Sequence, residues 1–124
     1  MLKNADALSI AGLAKGVHDL ATRARAKKLT LADFEGGTFT VNNGGTFGTY
    51  LSYPIVNPPQ AAIMTTEAIG KRVVVLEGDV IAIRLMGNLV ISFDHRVMDG
   101  ATAARFLKQV KEWIQAASDS VPVY

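Results

Sequence analysis

Leu89-Val90-Ile91-Ser92-Phe93-Asp94-His95-Arg96-Val97-Met98-Asp99-Gly100 is the stretch that decides the fold. Leu89 to Phe93 reads as a β-strand, and its nearly unbroken apolar run predicts burial on both faces. Asp99-Gly100 then opens a helix. Its buried face is drawn by Ala103, Phe106, Leu107, Val110, Trp113, Ile114 and Ala117, mostly at spacings of three and four. Between strand and helix stands His95. A strand end is a rigid mount, and the connecting loop exposes an imidazole to a cleft. Histidine suits proton transfer there, since its unperturbed pKa of about 6.5 leaves much of it neutral near pH 7.

Working outward, Ala61 to Ile69 and Val73 to Leu76 read as strands. Glu77-Gly78-Asp79 turns the chain into Val80 to Leu85, which makes a hairpin. Thr38 to Val41 is a further strand, with Phe39 and Val41 on one face and Thr38 and Thr40 on the other. Asn42-Asn43-Gly44-Gly45 reads as a turn, because Asn and Gly tolerate positive φ. A loop follows through Tyr50, Tyr53 and Pro54 to Asn57-Pro58-Pro59. Nearer the start, Ser9 caps a helix whose apolar stripe is Ile10, Leu13, Val17, Leu20 and Ala24. Arg23, Arg25, Lys27 and Lys28 sit at the negative end of its dipole. Thr30 to Phe34 forms a short turn. This order predicts an α/β fold, a two-layer sandwich with a mixed sheet. One domain is expected over residues 1–117, with a C-terminal tail over 118–124 that is poorly ordered unless a partner docks it.

Composition narrows the function classes. The chain has 124 residues, 49% of them hydrophobic and 19% charged, which is ordinary for a single globular domain with a real core. Thirteen Lys+Arg against eleven Asp+Glu leave a formal charge of +2, too small an excess to imply nucleic acid. With no cysteine, disulfides, thiolate zinc sites and cysteine nucleophiles are excluded. No apolar run reaches the eighteen or so residues of a membrane span, and the N-terminus lacks a signal-peptide core. A cytoplasmic protein is expected, with the mitochondrial matrix left open.

The residues alone leave several readings open. Asp99 is either a supporting acid or the N-cap of the last helix. His95 is a base or a hydrogen-bonded structural histidine, and Asp94 with Arg96 reads as a surface ion pair or as the solvent side of a sheet edge. A metal centre on Asp94, His95 and Asp99 is a poor fit, because the only other histidine, His18, lies on the first helix. No G-x-S-x-G elbow is present, and the glycines of Asn43-Gly44-Gly45-Thr46-Phe47-Gly48 form neither a Walker nor a dinucleotide loop.

Five blocks in register carry a resemblance. They are Asn4-Ala5-Asp6 with Ser9-Ile10, Gly37-Thr38-Phe39-Thr40-Val41, Asn43-Gly44-Gly45-Thr46-Phe47-Gly48, Ile55-Val56-Asn57-Pro58-Pro59-Gln60-Ala61-Ala62-Ile63, and Phe93 to Gly100. Together they resemble the catalytic domain of the dihydrolipoamide acyltransferases of 2-oxo acid dehydrogenase complexes, its back half only. The resemblance implies a truncated chloramphenicol-acetyltransferase-like fold that trimerises, with active sites at subunit interfaces and other complex subunits as partners. It implies an acyltransferase with coenzyme A and lipoamide as substrates and no metal. His95 falls on the family's catalytic histidine and Asp99 on its accompanying acid. Where the family usually has Ser or Thr, two residues beyond Thr40, this chain has Asn42. Asn42 is then a substitute oxyanion donor or merely a turn residue. The resemblance also leaves the basic cluster at 23–28 open as a contact for coenzyme A phosphates. The rival readings are a non-catalytic assembly module of the same fold, completing its sheet by oligomerising, or a coenzyme A binder without transfer.

Overall fold

Ser9 opens the first helix as its residue type predicts. In the computed structural model, which describes residues 1–117, its hydroxyl accepts a hydrogen bond from the Gly12 N–H at 3.1 Å. Helix α1 runs over Ile10–Arg25 and ends because Lys27 turns left-handed (φ 55°), so that the Lys28 N–H reaches back to the Arg23 carbonyl at 2.8 Å. Arg23 makes two 2.8 Å bonds to Asp33 and one of 2.9 Å to Asp19. Asp33 also accepts from the Thr30 N–H and hydroxyl, at 2.8 and 2.9 Å, and so closes the short 3₁₀ turn Leu31–Asp33. These bonds hold the Asp33 carboxyl well below the usual carboxylate range, the Arg23 guanidinium contributing most. These elements belong to one of two compact units, residues 1–38 with residues 115–117. The tail expected over 118–124 lies outside the described residues.

The second unit, Phe39–Ile114, holds the five strands found among the described residues. They are β1 (Thr40–Asn43), β2 (Ala62–Thr66), β3 (Gly70–Val75), β4 (Ile81–Met86) and β5 (Leu89–Phe93), followed by α2 (Gly100–Ala116). The main sheet has the order β1-β2-β5, with β1 parallel and β5 antiparallel to β2, so it is mixed as the sequence predicts. Asn42 stands opposite Thr65, which stands opposite Val90; Ala62 stands opposite Phe93. β3 and β4 form a separate antiparallel hairpin. Helix α2 lies on the sheet through Phe106, whose ring meets Phe39 edge-on at 5.7 Å, and through the buried Ala103.

Three expectations need correction. β1 begins and ends two residues later than its pattern suggests, so Asn42 and Asn43 lie on the strand rather than in the turn. Their pairing with Thr65 and Thr66 outweighs the turn propensity of the asparagines. β5 is not buried on both faces: every one of its residues is half-buried, because it is the sheet's edge. The face of α2 is buried at Ala103 alone, while Trp113 and Ile114 are 61% and 50% exposed. Hydrophobic burial is correspondingly thin among the described residues, with Ala62, Ile63 and Ala103 buried beside the polar Gln60, Thr65 and Glu67. One face of the hairpin carries Val73, Val75, Ile81, Ile83 and Leu85, each 63–73% exposed.

Gly45 shows how closely the chain packs after β1. A Cβ there would lie 2.5 Å from the Glu67 carbonyl carbon, on backbone that cannot yield cheaply, whereas one on Gly70 would meet nothing within 4 Å. Gly45→Ala is therefore expected to destabilise by roughly 1–3 kcal/mol, and Gly70→Ala to stay within about 0.5 kcal/mol. Urea unfolding of the two variants beside the parent checks this; equal midpoints would remove the argument from close packing.

Candidate active site

The backbone ladder of the sheet runs one bond past β5. The Asp94 N–H donates to the Ala61 carbonyl at 2.8 Å, so the chain is tied down immediately before His95. Asp94 then organises the turn that follows. Its carbonyl accepts from the Val97 and Met98 N–H groups at 2.9 and 3.3 Å. Its carboxylate accepts from the Arg96 N–H at 2.9 Å and from the Arg96 guanidinium at 2.6–3.1 Å. The ion pair expected from the sequence is thus present, and it lowers the Asp94 pKa to about 2, the Arg96 side chain contributing most and its N–H next.

His95 projects from this pinned turn. It is exposed, and among the described residues its ring lies 5.6 Å from that of Phe93, tilted by 42°. The ring is not sealed inside packed side chains. Asp99 begins α2 as a true N-cap, its carboxylate accepting from the Thr102 N–H at 2.7 Å. Hydrogen bonds from Thr102 hold its carboxyl below the ordinary value; the charges of Arg105 and His95 add to this, against partial desolvation. Both carboxylates flanking His95 are ionised at neutral pH. The Asp94 charge is matched by that of Arg96.

Asn42 lies elsewhere. It is exposed on β1, and its Nδ2 donates to the Thr65 Oγ1 at 3.2 Å. The row Asn42–Thr65–Val90 is three residues short of Phe93 on β5. At about 3.3 Å per residue and about 4.8 Å per strand, Asn42 and the mount of His95 are more than about 10 Å apart. A single chain does not bring them together. Among the described residues no set of three or more His, Cys, Asp and Glu side chains is arranged to hold a metal ion.

A family model described as 2-oxoacid dehydrogenases acyltransferase (catalytic domain) matches residues 1–121. The chain belongs to this family. The lipoamide acyltransferase component of the branched-chain alpha-keto acid dehydrogenase complex of Bacillus subtilis is 48% identical over 124 residues, which are all of this chain and 29% of that protein. A solved structure of a probable dihydrolipoamide acetyltransferase from Listeria monocytogenes superposes with a TM-score of 0.92 at 47% identity, covering 99% of this chain and 53% of that one. The dihydrolipoamide acetyltransferase of Azotobacter vinelandii superposes at 0.84 with 39% identity, covering 90% of this chain and 45% of that one. Its crystals served to probe the catalytic roles of a serine, a histidine and an asparagine. This chain spans about 29% of the length of the curated relatives it matches.

Within this acyltransferase family, two side chains escaped the reading of the sequence. Thr65 is fully buried beneath Asn42, and Glu67 is 2% exposed with one carboxylate oxygen accepting from the Ser52 hydroxyl at 2.5 Å. Neither carries a sequence signal, because both are polar residues in a run whose alternation is otherwise unremarkable. The Pro58-Pro59 segment is a turn, closed by the Gln60 N–H bonding the Asn57 carbonyl at 3.0 Å.

A group whose pKa is depressed on folding lends stability above its unfolded value, and that stability is lost as pH falls through the folded value. The Asp94 contribution is therefore expected to be complete above about pH 4 and to vanish as pH approaches 2. Carboxyl-carbon NMR should find Asp94 titrating near 2, and Arg96→Ala should raise that midpoint toward about 3.9. A midpoint unmoved by Arg96→Ala would show that the guanidinium does not hold the turn.

Proposed function

We propose that this chain carries catalytic groups for acyl transfer between dihydrolipoamide and coenzyme A, with His95 as general base. The observation that carries the reading is an exposed imidazole on a pinned turn at a strand end, in a chain of the acyltransferase family. A thiol of pKa about 8.5 is only a few per cent ionised at pH 7. As the sulfur of the acceptor thiol attacks the thioester carbonyl, His95 takes its proton and becomes an imidazolium, which the Asp99 carboxylate stabilises. The carbonyl oxygen becomes an oxyanion and accepts a hydrogen bond from the Asn42 amide. Collapse of this intermediate expels the other sulfur as a thiolate, and His95 returns the proton to it. No step needs a metal.

The distance between Asn42 and His95 within one chain supports an oligomeric site, in which one copy supplies His95 and a neighbouring copy supplies Asn42. The thin hydrophobic core and the exposed hairpin face support the same reading, since apolar side chains so exposed are ordinarily covered. A trimer-based homo-oligomer, held within a 2-oxo acid dehydrogenase complex, is the assembly this implies. The acyl group remains open, because the relatives differ in the acyl group their names give.

The test is thiol exchange between acyl-coenzyme A and dihydrolipoamide, followed with the assembled protein. His95→Ala is expected to cost about 10²–10⁴ in kcat and Asn42→Ala about 10²–10³, each with thermal stability near that of the parent. Turnover indifferent to His95→Ala would defeat the assignment. Coenzyme A binding without any transfer would favour a binding module instead.

A further inference from the structure

Thr65 is the one large side chain among the described residues that is fully buried, and the proposed mechanism gives it no task. We propose that Thr65 is a positioning residue for Asn42, setting which end of the amide meets the oxyanion. The inference rests on the acyl-transfer reading above and adds to it.

A carboxamide has two ends of opposite polarity, a carbonyl that accepts and an NH₂ that donates two hydrogens. On an exposed strand position such as Asn42 the amide is otherwise free to turn over. With its carbonyl toward a developing oxyanion it would repel the charge it has to stabilise. A serine or threonine hydroxyl at this position would avoid the problem, because its one proton rotates to the acceptor. Asparagine therefore needs a second group that fixes its orientation.

Thr65 has the geometry for this. It stands directly opposite Asn42 in the parallel β1–β2 ladder. Its hydroxyl proton is directed to the Thr66 carbonyl at 3.4 Å, which leaves the oxygen lone pairs to accept from the Asn42 Nδ2 at 3.2 Å. Full burial and a β-branched side chain stiff at χ1 keep that oxygen in place. One Nδ2 hydrogen is committed to Thr65, and the second remains as an oriented donor. A donor already aimed where charge develops does not have to reorganise during the reaction.

The experiment is a double-mutant cycle on the assembled protein in the thiol-exchange assay, with unfolding midpoints measured alongside. Thr65→Val removes the hydroxyl and keeps the shape; it is expected to lower kcat about tenfold with KM for both thiols unchanged, since a misaimed catalytic group loses rate rather than binding. Thr65→Ser, which keeps the hydroxyl, should restore most of the rate. In the Asn42→Ser background the Thr65→Val change should alter kcat less than about twofold, because a rotating hydroxyl needs no such support. Equal losses in both backgrounds, or no loss with Asn42 present, would overturn the proposal and leave Thr65 a structural residue. If Thr65→Val does not fold, Thr65→Ala against Thr65→Ser in the same two backgrounds decides the matter by the same criteria. A different result, Asn42→Ala leaving kcat intact, would instead sink the role of Asn42 itself.

Discussion

The three-stranded sheet of the second unit is registered on β2. It is the only strand of the sheet with both edges hydrogen-bonded, parallel to β1 on one side and antiparallel to β5 on the other. Ala62, Ile63 and Thr65 on this strand are buried, so it can neither slide nor rotate without exposing apolar surface. That one constraint fixes the placement of Asn42 and of the turn that bears His95. Asn42 faces Thr65 because β1 pairs there, and His95 follows one residue after Asp94, whose N–H still bonds the Ala61 carbonyl. A one-residue slip on either side would turn Asn42 or the His95 mount to the opposite face.

Around His95 the electrostatics are arranged by local hydrogen bonding more than by burial. Asp94 and Asp99 are both kept ionised, yet for different purposes. Asp94 gives its charge to Arg96 and uses its backbone to shape the turn. Asp99 gives one oxygen to the Thr102 N–H, a free amide in the first turn of α2. Capping a helix and the support of His95 proposed above are compatible tasks for one carboxylate, since an amide donor holds it in its charged form. Of the two readings of Asp99 left open by the sequence, the N-cap is the one observed.

What was legible in the sequence was local chemistry. Ser9 as a cap, Asp99-Gly100 as a helix start and the turn between β3 and β4 follow from side chains acting on their own backbone, and each is found. The placement of Asn42 was not legible, because its neighbour Thr65 lies 23 positions away and decides strand against turn by pairing. The burial of β5 and of α2 was misjudged for a related reason. An apolar run records what a segment is able to cover, and the covering surface is supplied by other parts of the fold or by other chains. His95 was legible as a candidate because a strand, a histidine and a helix start fall within twelve residues. The distance from His95 to Asn42 was not, since only the register of three strands reveals it.

The parallel pairing of β1 with β2 also has a kinetic side. β3 and β4 are neighbours along the chain and can zip locally through their short turn. β1 cannot join β2 until the whole intervening loop has been drawn in, a closure whose entropy is lost before any ladder bond compensates for it. The hairpin therefore closes early and the three-stranded sheet late. The turn bearing His95 gains its last tether, at Ala61, only when β5 docks on β2. On this topology the turn that bears His95 is expected to be among the last parts of the sheet to form.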